Sequence, residues 1–554
     1  MEKIIFTVFI IFITCASKAG ELSESIRQFF KDMPESLPCV IYNEYLFAGR
    51  ELQMFYMNRM YAPAWINQNT PFWFQQNVPV WNSSINIGKN GLDLVDYIRQ
   101  VDQHGLLPMD YHLDLIEKYI AKIWSYIPMK NEDQMKLDIL LSDAYMLLSS
   151  HLFYGKVDAK KEGGNWKMQR KEPKIRSGWK LENALAANDM NNHLELLSPH
   201  YPSYWLMKNE LTFFLQLNKQ SWPVFLSGSS IKQGESNELI PKIRERLIKL
   251  RHLLSDSVSI YYDEGLEKQV KLFQVNWGMN SDGVIGQGTL DILNSAPYNL
   301  INKLRANMER FRWLPLQATN KHIIVNIANF MLDMVEGKDT LISMRAIVGK
   351  EYRETPVFNA LMTYIVFSPS WTVPPTILQN DVIPELLKGP EYLVKKNMKL
   401  LRSNGSEIEY RNIDWSKITK NNFSYMVRQD PGPENALGRV KFIFPNSYNV
   451  YIHDTPTKGF FARDNRALSS GCIRIEKPFE LAISLLSDMP EWTPTQIRNA
   501  MQQNKEQIVR LKTPVDVVII YLTAWISGNR QIQFRKDVYK RDEMVIKALN
   551  QILY

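Results

Sequence analysis

From residue 40 to about residue 230, apolar positions recur at every third or fourth place, the period of helices with one buried face. The run Ile139 to Gly155, ILLSDAYMLLSSHLFYG, is an example, and a glycine closes it. His104-Gly105-Leu106-Leu107-Pro108 ends another helix, and Phe55-Tyr56 with Tyr61 to Trp65 marks a helix-to-turn passage. Between Ile240 and Asn294 the pattern shortens to three small helices. Ile243 and Leu247 stripe the first, Leu266, Val270 and Phe273 the second, Leu290 and Leu293 the third. Asp282 to Gly286 separates the last two as a turn whose glycines can take positive φ. Asn307 to Pro315 then reads as a bridge stopped by its proline.

From His322 onward the apolar period falls to that of strands. His322 to Phe330, Thr340 to Val348, Tyr364 to Phe367, Val440 to Phe444 and Asn449 to His453 all carry it. An insertion spanning about 378–437 interrupts them, with helix-like Asp381 to Leu387 and Glu391 to Leu401 followed by a polar loop. The chain closes with a strand from Val515 to Ile526, a Ser527-Gly528-Asn529 turn and a strand from Ile532 to Phe534. The expected architecture is α+β and multidomain. It has a helical scaffold over 20–235, a small three-helix module over 236–300, and a mostly-β domain over 301–554 with a helical lid insertion.

With 554 residues, 45% hydrophobic and 22% charged, the chain has the composition of a globular protein of several domains. The net charge of +8 suits an anionic partner, but the basic residues are scattered. Lys160 to Lys180 alone is dense, with eight Lys or Arg against two Glu, and reads as a solvated loop. Nothing beyond the sign of the charge points to nucleic acid.

Lys3, the apolar run Ile4 to Ile13 and the Ser17-Lys18-Ala19 end have the form of a secretory signal peptide, cleaved near Ala19. The run is too short to span a membrane, which takes about 20 apolar residues. An exported, periplasmic protein is expected. Cleavage would remove Cys15 and leave Cys39 and Cys472. Cys39 reads as a small buried hydrophobe. No Cys or His pair has the close spacing a zinc site needs, so neither metal nor cofactor is expected.

The segment YIHDTPTKGFFARDNRALSSGCIR, Tyr451 to Arg474, concentrates the candidate chemistry. Cys472 is framed by Ser469-Ser470-Gly471 and Ile473-Arg474, and His453 lies 19 positions upstream at a strand end. A thiol is a weak nucleophile until a base or local field makes it a thiolate, and its attack creates an oxyanion that needs donors. Cys472 is thus the candidate nucleophile and His453 its base. Amides around Gly471 and Cys472 are candidates for the oxyanion hole. Arg474 suits either holding the loop or meeting a substrate carboxylate. Tyr451, Trp371 and Tyr448 are candidate cleft-lining aromatics. The Cys-after-His order disfavours a papain-like protease.

These residues resemble a family signature. His453-Asp454-Thr455 with Ser469 to Arg474 is similar to the YkuD-type L,D-transpeptidase motif. Thr355-Pro356, Trp371 to Pro375 and Asn435 to Gly438 match it upstream. Tyr61 to Trp65, His104 to Pro108, Asn307 to Pro315 and Thr523-Ala524-Trp525 resemble the YcbB-like subgroup. Residues 266–294 are similar to a peptidoglycan-binding module.

The resemblance implies that Cys472 attacks a tetrapeptide stem at the bond between the L-centre of diaminopimelate and D-Ala. D-Ala leaves, and the amine of an acceptor stem resolves the acyl-enzyme into a 3→3 cross-link. It also implies acylation by carbapenem inhibitors and a backbone carbonyl at Asp454 that orients the imidazole. Other cell-wall synthesis enzymes are conceivable partners. Many members have histidine where this chain has Ser470, and glycine or serine where it has Asp454. L,D-carboxypeptidase, protein-to-wall attachment and a non-catalytic scaffold remain as alternatives.

Overall fold

A computed structural model describes residues 88–125, 131–168, 177–226, 228–254, 258–315 and 320–552. The expectations for residues 1–19, Cys39 and Tyr61 to Trp65 lie outside them, as does part of Lys160 to Lys180.

The first described helices, among them Lys89–Arg99, Leu113–Trp124, Asn131–Tyr154 and Ser177–Ala187, enclose a core of Leu94, Ile98, Tyr111, Leu141, Leu148 and Leu181. Helices Ile240–Lys249, Glu264–Asn276 and Gln287–Leu293 form the three-helix unit around Ile243, Leu266, Phe273 and Leu290. The Gln274 side chain holds its turn, donating to Asp282 Oδ1 at 2.9 Å and accepting from the Gly283 amide at 2.9 Å. Only Gly283 takes positive φ there; Gly286 stays extended at −94°.

The expected bridge at Asn307 to Pro315 is instead mostly the end of a 17-residue helix, Pro297–Trp313, with Pro at its first turn. Its second half is buried on every side, including Asn307, Glu309, Arg310 and Arg312. Polarity so deep persists only when paired. Arg312 donates to Glu309 at 2.7 Å and Arg310 to Asp542 at 2.5 Å. Asn307 exchanges hydrogen bonds with Thr523, which also reaches Asp542 at 2.8 Å.

The main sheet takes strands β1 (Lys321–Asn326), β2 (Met331–Glu336), β3 (Asp339–Gly349) and β4 (Asn359–Phe367). It adds β9 (Val440–Ile443), β10 (Ile452–His453), β11 (Ala467–Ser469), β12 (Ile473–Ile475) and β13 (Gln507–Ile520). Their order is β11-β3-β12-β10-β9-β4-β13-β1-β2, and a β2–β3 pairing closes the sheet on itself. The apolar run from Val515 to Ile526 is two strands, not one. β13 ends at Ile520, Thr523 turns aside to Asn307, and β14 (Ala524–Ile526) pairs with β15 (Ile532–Phe534).

The insertion also differs from expectation. Its helical part, Pro375–Lys388, contains a π turn at Leu378–Val382, and Tyr392–Lys395 is one short turn. Asn397 then takes φ 51°, and the chain leaves helix for strand β6 (Met398–Leu401). With β5 (Trp371–Thr372), β7 (Glu407–Ile408) and β8 (Met426–Gln429) it makes a four-stranded sheet, so the end of the expected helix Glu391 to Leu401 and parts of the expected polar loop are strands. Val373, Val382, Leu386, Leu400 and Val427 give this unit a core of its own.

Asp542→Ala should strip Arg310 of its buried counter-charge and cost about 3–5 kcal/mol. Glu385→Ala, breaking the exposed Lys388–Glu385 pair, should cost under about 1 kcal/mol. Urea denaturation of the two variants checks this; equal losses would refute it.

Candidate active site

Two very short strands build the site. β10 and β12 run parallel, with Ile452 opposite Ile473 and His453 opposite Arg474. Ile452, Ile473 and Ile475 enter the core, so alternate side chains project from the other face. Tyr451 and His453 leave β10 together there, their rings 5.6 Å apart. Cys472 and Arg474 lie on the same face from β12. Antiparallel β9 adds Lys441, in register with His453. The structure therefore brings Tyr451, His453, Cys472 and Arg474 to one surface.

The loop before Cys472 is fixed by hydroxyl groups. Ser469 Oγ donates to the Cys472 carbonyl at 2.6 Å and accepts from the Gly471 amide at 3.1 Å. Thr355 Oγ1 donates to the Gly471 carbonyl at 2.8 Å and accepts from the Gly349 amide at 2.9 Å. Gly471 needs its φ of 114°, a conformation open to glycine but not to side-chain-bearing residues. Of the amides expected to serve an oxyanion, that of Gly471 is thus engaged within the loop. The Cys472 amide donates to no described residue and remains for that role.

Cys472 is a free cysteine, half-buried, its Sγ 3.8 Å from the Asn449 carbonyl. Burial pushes its thiol up, while the Tyr451 amide and hydroxyl and the Arg474 charge favour the thiolate. Tyr451 is itself backed by Trp371, whose side chain offsets part of the upward push that burial gives the Tyr451 hydroxyl. Trp371 belongs to β5, so the insertion's sheet reaches the Cys472 thiol through these two aromatics. Tyr448 stands farther out, edge-on to Phe358 at 4.9 Å and adjacent in sequence to Asn449.

His453 is buried, and its Nδ1 donates to the Asp454 carbonyl at 2.5 Å, which leaves Nε2 as the basic nitrogen. Burial lowers its pKa to about 3, aided by the Arg474 and Lys441 charges and only partly offset by the Asp454 and Leu437 carbonyls. At neutral pH the site therefore holds a neutral thiol and a neutral imidazole, the form that can accept a proton. The Asp454 carboxylate takes no part in orienting the ring. It accepts from the Arg439 amide at 2.8 Å, the Thr455 amide at 2.7 Å and Lys458 at 2.5 Å. Gly438, at φ 64°, passes so close that any Cβ would overlap that carboxyl.

Arg474 has a buried Nε without a hydrogen-bond partner, and no carboxylate pairs with it among the described residues. Ser470 accepts from Arg353 at 3.1 Å, and the same guanidinium grips Asp381 of the π turn at 2.5 and 3.2 Å. Arg353, Asp381, Asn449 and Lys441 were not singled out from sequence. The row Lys441–His453–Arg474 follows from strand register, which a linear pattern does not reveal. Among the described residues no group of three or more His, Cys, Asp or Glu could hold a metal ion. No helix among them is long and apolar enough to cross a membrane.

Family comparison places this site in residues 320–517, which match the L,D-transpeptidase catalytic domain model YkuD. The chain carries a YkuD-type L,D-transpeptidase catalytic domain. Residues 236–293 match a family described as "Putative peptidoglycan binding domain", and residues 72–211 match a scaffold domain. A Haemophilus influenzae protein named "Putative L,D-transpeptidase" is 35% identical over 254 residues, 46% of this chain and 51% of that protein. The chain thus matches about half the length of this curated relative. A solved L,D-transpeptidase from Xylanimonas cellulosilytica, 13% identical, aligns over 53% of this chain and 100% of that one. Its TM-score of 0.17 is too low to carry an argument.

Two outcomes test the electrostatics of this L,D-transpeptidase domain. Between about pH 6.5 and 3 an unfolded His453 binds a proton that the folded one refuses, so stability falls as pH drops through that window. His453→Gln should remove that contribution, flattening the slope there by about 1.4 kcal/mol per pH unit. Denaturant titrations across the window measure it, and an unchanged slope would count against a neutral buried His453. Tyr451→Phe, which deletes a donor to the sulfur, should slow alkylation of Cys472 by iodoacetamide about tenfold near neutral pH. An unchanged rate would remove Tyr451 from thiolate stabilisation.

Proposed function

We propose that this protein is an L,D-transpeptidase that forms 3→3 cross-links between peptidoglycan stem peptides through an acyl-enzyme on Cys472. The observation carrying this reading is the single face shared by Cys472, His453, Tyr451 and Arg474 within a domain of that family. Sγ attacks the carbonyl at the L-centre of diaminopimelate in a donor tetrapeptide as Nε2 of His453 takes the thiol proton. The Cys472 amide and the Tyr451 hydroxyl meet the developing oxyanion. The tetrahedral adduct collapses to a thioester when His453 returns the proton to the leaving nitrogen of D-Ala. The diaminopimelate amine of an acceptor stem then attacks the thioester, giving up its proton to His453 and restoring the thiol.

Arg474, whose guanidinium faces the site unpaired, meets a substrate carboxylate in this scheme. Trp371 and Tyr448 border the stem peptide, and Ser470 ties the loop to Arg353. The three-helix module binds peptidoglycan, consistent with its family match. The insertion acts as a lid over the acyl-enzyme, excluding water. A cleaved signal over residues 1–19 would deliver the protein to the periplasm, among other cell-wall synthesis enzymes. Carbapenems acylate Cys472 as substrate mimics.

Incubation of the mature protein with disaccharide-tetrapeptide should give cross-linked dimer and free D-Ala by mass spectrometry, both abolished in Cys472→Ala. Tripeptide monomer alone would indicate an L,D-carboxypeptidase, and dependence on an added protein amine an attachment transferase. No turnover would return the molecule to the scaffold reading. Meropenem should leave one covalent adduct on the wild type and none on Cys472→Ala.

A further inference from the structure

Strand order places two unpaired cations on either side of His453. β12 carries Arg474 and β9 carries Lys441, both in register with the imidazole, so the row reads Lys441–His453–Arg474. Neighbouring strands lie about 4.8 Å apart, which sets the two cationic columns roughly 10 Å from each other. Arg474 follows Cys472 on its own strand, whereas Lys441 lies beyond the imidazole, on the side away from the sulfur. Its ammonium forms no ion pair or hydrogen bond with any described residue. Among the described residues Glu506 is the carboxylate whose field reaches it, and that group is already held by the Ser370 amide and hydroxyl at 3.0 and 2.9 Å. A half-buried cation kept without a partner is unfavourable unless an anion arrives to meet it.

The order of groups identifies that anion. The carbonyl under attack lies by Cys472, and the nitrogen it releases must lie by the imidazole that protonates it. When the leaving group is a free amino acid, its α-carboxylate is one carbon beyond that nitrogen. The next group across the sheet is Lys441. We propose that Lys441 is a specificity-determining residue that binds the α-carboxylate of the departing amino acid, selecting donors that end one residue past the scissile bond. This rests on the transpeptidase reading above and adds the group that recognises the donor's terminus. Lys441 moves no proton in this scheme; it orients the donor and pairs with the departing anion.

The test compares a disaccharide-tetrapeptide ending in free D-Ala with the same donor ending in D-alaninamide, following acylation of the full mature protein by intact mass. Wild type should prefer the free acid in kcat/KM by about 30-fold, the scale expected for losing one close charge pair. Lys441→Met should bring that preference close to unity by slowing the acid donor far more than the amide donor. Lys441→Arg should keep most of the preference. Should Lys441→Met fail to fold, the uncharged, polar Lys441→Gln makes the same comparison. A wild type indifferent to the terminus, or a Met or Gln variant that retains the full preference, overturns the proposal while the transpeptidase reading stands. Acylation of wild type by neither donor overturns both.

Discussion

The parallel pairing of β10 with β12 is the constraint on which the catalytic face depends. Two strands of two and three residues have few ladder hydrogen bonds of their own. They hold because their inward residues, Ile452, Ile473 and Ile475, lie in the main core and their neighbours β9 and β3 flank them. A slip of one residue would turn every side chain over, sending His453 into the core and Ile452 to the surface. The surrounding hydroxyl and carboxylate contacts work against that slip. Ser469 and Thr355 clamp the loop entering β12, and the Asp454 carboxylate ties the end of β10 to the turn at Gly438-Arg439.

The same pairing explains the electrostatic character of the site. Register alone puts Lys441 and Arg474 beside the imidazole, and burial already disfavours its charged form. The outcome is a neutral resting pair instead of a standing thiolate–imidazolium. A neutral imidazole with one free lone pair can take the thiol proton during attack. An anionic substrate entering between the two cations would offset their effect on His453 and ease that transfer. Under the proposed function, reactivity would thereby be coupled to occupancy.

Much of this was legible in the sequence, for reasons that differ by element. The helix Asn131–Tyr154 was readable from its long apolar run and closing Gly155, although it is buried nearly all the way round instead of on one face. The Gly471-Cys472 loop was readable because glycine, and a cysteine in a chain with only three, are informative singly. Strand β2 was missed because its apolar residues fall in adjacent pairs, Met331-Leu332 and Met334-Val335, so the sequence does not alternate although the burial does, and it follows β1 after a tight turn at Phe330, φ 54°. The insertion's sheet was missed because its strands are two to four residues long, too short for a period to register. Asp454 drew attention beside His453, yet its carboxylate serves the backbone of a turn 15 residues upstream. Partners set by three-dimensional register, Lys441 above all, leave no linear trace.

The insertion has a hydrophobic core of its own, yet two contacts carry its position to the reacting sulfur. On one side Arg353 joins Asp381 of the π turn to Ser470, two residues before Cys472. On the other, Trp371 backs the Tyr451 hydroxyl that faces the sulfur. A displacement of the insertion would therefore change both the placement of the nucleophile loop and the stabilisation of its thiolate. An independently packed unit can shift as a body without unfolding. Anchoring it at these two points makes the chemistry depend on where that body sits, and so on what lies beneath it.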